Sequence, residues 1–334
     1  MSSGRTNRDS LYRVTTKLAW LFVAALGVSP LVRTTPPPQD AGEDVSWAYL
    51  LPDKVQPQPP DDTATVKLPG SSKTYPRSQL HDLGLLKNPP DWFPEEHPEM
   101  PGVVQHGDGK SVLACASCHL ASGLGHPESA DLTGLTPSYM LHQLDNFKNG
   151  LRIARPMLAT AKNITDEDAK QACAWFASLS LKAWVRVVET DTVPKTYVNT
   201  DHERLPLPGA DTEPLGNRII ELPKDPVRSV ARDPHSGFVA YVPKGSIAKG
   251  EQIVTTGNSG KSIACGTCHG PSLAGVDDIP RLAGRSPIYI FRELHDFQTG
   301  DRSGPDAQLM KGIVRKFSTE EMIAIAAYVA SQSP

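Results

Sequence analysis

The sequence predicts an all-α protein in which one small helical domain is used twice, behind an apolar N-terminal segment and an extended proline-rich arm. Three observations carry that reading. The pentapeptide Cys-x-x-Cys-His occurs at Cys115–His119 and again at Cys265–His269. The residues around the two copies repeat at an offset of 150. Inside each copy, helix start and stop signals bracket apolar residues at helical spacing.

The N-terminal stretch opens with Arg5, Arg8, Arg13 and Lys17 and continues into the apolar run Leu18 to Val32. A bilayer span takes about 20 apolar residues, so this shorter run suits the core of an export signal. Small residues stand at Ala25 and Gly27, but no clean A-x-A cleavage site follows, which keeps an uncleaved anchor as the alternative. Residues 1–33 are therefore read as a signal peptide or N-terminal membrane anchor. The rest of the chain is expected in the periplasm, free or held at the inner membrane. Of the 31 prolines, 15 fall between Pro30 and Pro101. Each proline removes a backbone donor and fixes φ, so 34–95 is read as an extended arm. Net charge is −3, with 34 Lys and Arg against 37 Asp and Glu. That balance offers no basic surface for a nucleic acid.

The repeat is dense. Cys115, Cys118 and His119 align with Cys265, Cys268 and His269, and Gly125, Leu132, Gly134, Pro137 and Tyr139 with Gly275, Leu282, Gly284, Pro287 and Tyr289. Leu144, Phe147, Gly150 and Arg152 align with Leu294, Phe297, Gly300 and Arg302. After three extra residues in the second copy, Met157 meets Met310, Glu167 meets Glu320 and Trp175 meets Tyr328. Self-similarity of this kind marks a duplicated domain, placed at 96–182 and 242–334 with a linker at 183–241.

Each copy reads as three short helices. The first passes through the cysteine motif. The second starts at Thr136-Pro137 or Ser286-Pro287, a hydroxyl cap followed by proline at the first helical position. It carries Met140, Leu144 and Phe147, or Ile290, Leu294 and Phe297, on one face, and stops at Gly150 or Gly300. The third starts at a capping box, Thr165 with Asp168 or Ser318 with Glu321. Its buried stripe is Trp175, Phe176 and Leu179, or Ile325, Tyr328 and Val329. Three short helices make a thin core, and such a domain needs something more to bury.

The cysteine motif indicates what that is. Two cysteines one helical turn apart can each bond a vinyl group of one haem, and the histidine that follows is carried beneath the ring. The spacing is that of c-type haem attachment. One such pentapeptide arises by chance about 0.002 times in a chain of this composition. A zinc site built from all four cysteines leaves a histidine after each pair unexplained. A thioredoxin-like pair calls for a βαβ setting, which is absent. Plain disulfides account for neither the histidines nor the repeat. Haem c, one per copy, is the reading that covers everything.

The sixth ligand of each iron is expected to be Met157 and Met310, since methionine sulfur is a soft ligand and both copies place one in an otherwise polar loop between the second and third helices. Histidine competitors do not repeat: His142 aligns with Arg292, His295 with Asp145 and His126 with Val276. Each proximal histidine is expected to donate its other ring hydrogen to a carbonyl eleven residues on, Ala130 or Pro280. Tyr139, Tyr289, Arg152 and Arg302 are candidates to reach haem propionates, with ordinary surface or packing roles as the alternative. Cys173 has no counterpart, as Ala326 stands opposite, and reads as a small core residue.

In these residues the sequence resembles the tandem dihaem cytochromes c of the cytochrome c-four kind. The resemblance rests on the two Cys-x-x-Cys-His motifs, the "LTG" and "LAG" turns at 132 and 282, the tyrosine-led helix ending in F-x-x-G-x-R, the methionine and the capped last helix. It covers about 180 residues in two blocks, and the proline-rich arm and the long linker depart from it. It implies two class I cytochrome c domains, His/Met ligation at both irons, and single-electron transfer between exported or membrane redox partners, such as a membrane oxidoreductase or terminal oxidase. An electron carrier rather than an enzyme is expected. The alternatives are a dihaem peroxidase, whose halves should be chemically unequal, and a cytochrome subunit docked on a larger respiratory or dehydrogenase complex through its arm and linker.

Overall fold

The computed structural model describes residues 44–54, 63–209 and 211–334, with backbone alone at 82 and 83. The expected export or anchor segment, 1–33, lies outside the described residues, as do 34–43 and 55–62 of the arm. No described helix is long and apolar enough to cross a membrane.

Ahead of the first motif, the arm contributes β1 (Thr65–Val66), β2 (Tyr75–Pro76) and α1 (Asp82–Lys87). The first repeat then runs through α2 (Gly102–Gln105), α3 (Cys115–His119), α4 (Pro137–Lys148), α5 (Arg155–Asn163) and α6 (Asp166–Ala177). The linker holds β3 (Val185–Glu189), β4 (Thr192–Pro194), β5 (Thr196–Val198), β6 (Arg204–Pro206), β7 (Thr212–Pro214), β8 (Ile220–Pro223), α7 (Pro226–Val230) and β9 (Phe238–Val242). The second repeat has α8 (Ser246–Thr256), α9 (Gly266–His269), α10 (Pro287–Thr299), α11 (Ala307–Val314) and α12 (Thr319–Ser331).

Inside the repeats the helices start and stop where their signals stand. Thr136 Oγ1 and Ser286 Oγ accept from the amides of Tyr139 and Tyr289, at 3.1 and 3.2 Å. Gly150 and Gly300 both take positive φ just past a helix. Ser318 and Glu321 form a full capping box, and Thr165 accepts from the Asp168 amide. The first core gathers Val104, Met140, Trp175 and Phe176, and the second, larger one gathers Ile253, Phe291, Met322 and Ile323. Tyr328, expected in the buried stripe, packs only at the edge of the second core. In the second repeat α8 crosses α12 closely. A Cβ at Gly250 would stand 2.0 Å from the Ala324 carbonyl oxygen, so only glycine admits the approach.

The all-α expectation holds within the repeats and fails outside them. The linker builds a three-stranded sheet in the order β3-β9-β8, with β3 parallel and β8 antiparallel to β9. Val185, Val187 and Val188 have the β-branched preference for a pleated surface. Their partner strand, however, begins 53 residues later, at Phe238 opposite Val185, so local reading cannot see the pairing. Strands β4, β6, β7 and β8 each end on a proline, which cannot donate to a ladder. Nor is the arm simply extended. Leu68, Leu80, Trp92 and Phe93 pack with Ala231 of the linker, and Trp92 Nε1 donates to the Ala231 carbonyl at 2.6 Å. Further back, Trp47 lies on Phe291 and Tyr49 donates to Asp296 at 2.7 Å.

Candidate haem-binding sites

Both cysteine motifs form one turn of helix followed by a sharp exit. In each, the chain doubles back so that Gly125 or Gly275 donates its amide to the carbonyl of His119 or His269, at 3.1 and 2.9 Å. That turn brings a carbonyl to each imidazole: His119 Nδ1 meets the Ala130 oxygen at 2.8 Å, and His269 Nδ1 meets the Pro280 oxygen at 2.8 Å. A carbonyl only accepts, so Nδ1 carries the hydrogen and Nε2 holds the free lone pair. The glycines are needed for the geometry. At φ of 67° a Cβ on Gly125 would stand 2.7 Å from the Ala130 oxygen, the atom that orients His119.

Both histidines are buried. Burial holds each imidazole below its ordinary pKa, against the carbonyl bonds that favour the charged form. Neutral imidazole is the metal-binding form. His119 also stands edge-on to Phe176, with ring centroids 5.9 Å apart. All four motif cysteines are free thiols. Burial pushes Cys115 up to about 12 and Cys265 up to about 11, and raises Cys118 as well. Among the described residues no three His, Cys, Asp or Glu side chains converge as metal ligands. The donor set fits haem: paired free thiols and, beside each pair, one imidazole held with Nε2 free.

Met157 and Met310 lie on helices, not in a polar loop. Each occupies an additional short helix, α5 or α11, between the expected second and third. The start of α5 was readable in Arg155-Pro156, with proline in the first turn. Met310 packs against the second core together with Cys265 and Tyr289. Met157 is half-buried and is not among the residues of the first core. Cys173 is buried on α6, as its reading as a core residue requires.

The two tyrosines and two arginines of the repeat meet one another across the two copies. Arg152 donates to Glu293 at 2.5 Å and to Gln143 and Tyr289 at 3.1 Å. Arg302 donates to Glu293, to Tyr139 at 2.9 Å and to Gln143 at 3.0 Å. Gln143 and Glu293 are themselves equivalent positions, so the network is nearly two-fold, with one carboxylate replaced by an amide. Burial opposes every charge in it. For Glu293 the flanking guanidiniums, Arg152 foremost, prevail and hold the carboxyl down at about 2. A second buried link joins Arg281 to Asp131, again equivalent positions.

Sequence reading missed the linker's part in the first site. Trp184 Nε1 donates to the Gly125 carbonyl at 3.0 Å, within the turn that orients His119. Trp184 and Phe238 pack on Leu120 and Leu124, directly after the motif. Arg232 donates to the buried His126, which also contacts Glu128 at 3.1 Å. A buried Trp in a long linker was the available signal.

Residues 247–333 match the cytochrome c family. Cytochrome c-554(548) of Halomonas halodenitrificans is 34% identical over 89 residues, which are 26% of this chain and 98% of that protein. Cytochrome c4 of Pseudomonas aeruginosa is 24% identical over 233 residues, 68% of this chain and 88% of that protein. A protein of Thiomonas intermedia named as a thiosulfate dehydrogenase electron acceptor is 26% identical over 226 residues, 66% of this chain and 79% of its own length.

Proposed function

Because the chain belongs to the cytochrome c family and is an electron carrier with two covalently bound haems c, we propose how its residues divide that work. Cys115 and Cys118 hold the first haem through thioethers, and Cys265 and Cys268 hold the second. His119 and His269 present Nε2 to the two irons, while the carbonyls of Ala130 and Pro280 retain the Nδ1 hydrogens and fix both rings. Met157 and Met310 supply the remaining ligands from α5 and α11. Each haem contributes an iron that takes up and releases one electron. Were Met157 and Met310 to complete the two ligand sets in this way, no position would be left for a substrate, and the chain would carry electrons without chemistry of its own.

Residues 96–182 and 242–334 are taken as the two haem domains, with 183–241 as a linker that buttresses the first. The network between them holds two buried guanidiniums against the single carboxylate of Glu293. Haem propionates suit the missing negative charge. Segment 1–33 supports export, and the partners are then redox proteins of the periplasm or the inner membrane. A dehydrogenase of a small sulfur oxyanion is one class of donor, on the likeness to the Thiomonas intermedia acceptor.

The observation that carries this reading is the duplicated turn in which each motif histidine gives Nδ1 to a carbonyl eleven residues on, at 2.8 Å in both copies. The test is the absorbance of the full chain made with haem c maturation machinery. Two low-spin haems per chain are expected. High-spin iron at either site contradicts the ligand assignment.

A further inference from the structure

The two turns that orient the histidines are tied to each other. Ala130 precedes Asp131 and Pro280 precedes Arg281, so the residue after each histidine's acceptor is one partner of the ion pair between the repeats. The pair is buried, the Arg281 side chain 1% and the Asp131 side chain 8% exposed. The second oxygen of Asp131 is held by the amide and hydroxyl of Thr133, at 2.8 and 2.7 Å. Arg281 donates to its own Ala283 carbonyl at 2.5 Å and reaches the Asp131 carboxylate and the Thr133 carbonyl of the first repeat. Its guanidinium thus reaches across to the first repeat, to the turn that supplies the His119 acceptor. Asp131 is the residue directly after Ala130, whose carbonyl accepts from His119 Nδ1 at 2.8 Å. A buried pair adds little net stability, since desolvation offsets attraction, so its placement is the informative feature.

Resting on the proposed ligation by His119 and His269, we propose that Asp131 and Arg281 are positioning residues for electron transfer. Their ion pair ties the two histidine-orienting turns together and sets the potential of the first haem by balancing opposite charges beside it. Loss of an electron leaves one more positive charge at the site. A carboxylate nearby favours that oxidised state and a guanidinium disfavours it, and in a buried setting neither is well screened. Together they nearly cancel.

The test is a potentiometric titration of the full haem-loaded chain, with the first site's haem methyl signals followed by NMR. Asp131→Asn is expected to raise the first site's potential and Arg281→Gln to lower it. Each shift should change the reduced-to-oxidised ratio at a fixed applied potential by about tenfold, or about 59 mV for a one-electron couple. The double variant should return to within about threefold of the parent. Arg281→Lys, which keeps the charge and is the mildest change to the fold, should leave the potential in place. A purely structural tie moves both single variants in the same direction, because both break one pair. That result, or no shift at all, overturns the proposal. The pyridine haemochrome of the same samples counts attached haems, so a failure of the dihaem reading is seen there separately.

Discussion

His119 and His269 each have Nδ1 engaged by a carbonyl at 2.8 Å, which fixes the tautomer and turns Nε2 outward for a metal. The sixth ligands are less constrained by the protein alone. If Met157 and Met310 fill that position, Met157→Ala and Met310→Ala should each convert one haem of the pair to high spin and lower its potential, leaving the other unchanged. Loss of the methionine-to-iron absorbance band, site by site, is the measurement. Glu293 is the other residue whose role is sharp. Its carboxyl is held at about 2 against an ordinary value near 4.3. It therefore contributes stability that is present above the ordinary value and is lost as pH falls through about 2. Glu293→Gln should cost about 3 kcal/mol more at pH 7 than at pH 2, where the folded-state carboxyl is part-way through its titration. Denaturant unfolding at both pH values measures the difference.

At the scale of the element, two contacts decide how the second domain holds together. Helices α8 and α12 touch at Gly250, where an added Cβ meets the Ala324 carbonyl oxygen at 2.0 Å. Gly250→Ala should force the helices apart and destabilise the chain by about 3 kcal/mol, seen as a shift in the denaturation midpoint at constant slope. Strand β8 places Glu221 against the start of α10, where Ser286 donates to it at 2.7 Å. Burial pushes this carboxyl up to about 7. The folded state then keeps a proton that the unfolded chain has released, so stability falls as pH rises from about 4.5 to about 7. Glu221→Gln should keep about 3 kcal/mol that the parent loses across that window. Unfolding both proteins at pH 5 and pH 8 isolates the effect, because Asp296, raised to about 6 by burial, titrates alike in both.

What the sequence made legible at this scale was whatever is local. Thr136 with Pro137, Ser286 with Pro287, and Ser318 with Glu321 announce helix starts within three residues, and the structure places caps at each. The motif histidines' acceptors, eleven residues on, were within reach of the same reasoning. What depends on docking was not legible. Asp131 and Arg281, like Gln143 and Glu293, occupy equivalent positions in the two copies. Nothing along the chain says that such positions touch. The same holds for β3 and β9, whose starts lie 53 residues apart along the chain. Met157 and Met310 were found as residues but misplaced as loop, because the helix carrying each is short and half exposed.

Taken whole, the chain uses its duplication twice over. Each copy builds the same histidine turn, and the copies then meet through equivalent residues, Arg152 with Arg302 and Asp131 with Arg281. The linker and arm add what neither copy supplies, Trp184 on the first motif's turn and Trp47 on α10. The whole arrangement presumes that each helical shell closes on a haem joined to its cysteine pair. Intact mass spectrometry of the full chain, made with haem c maturation machinery, addresses that most directly. The expected spectrum shows the polypeptide plus two haem masses, falling to one when Cys115 and Cys118 are both changed to Ser. A spectrum of the bare polypeptide, with no added mass, contradicts the account.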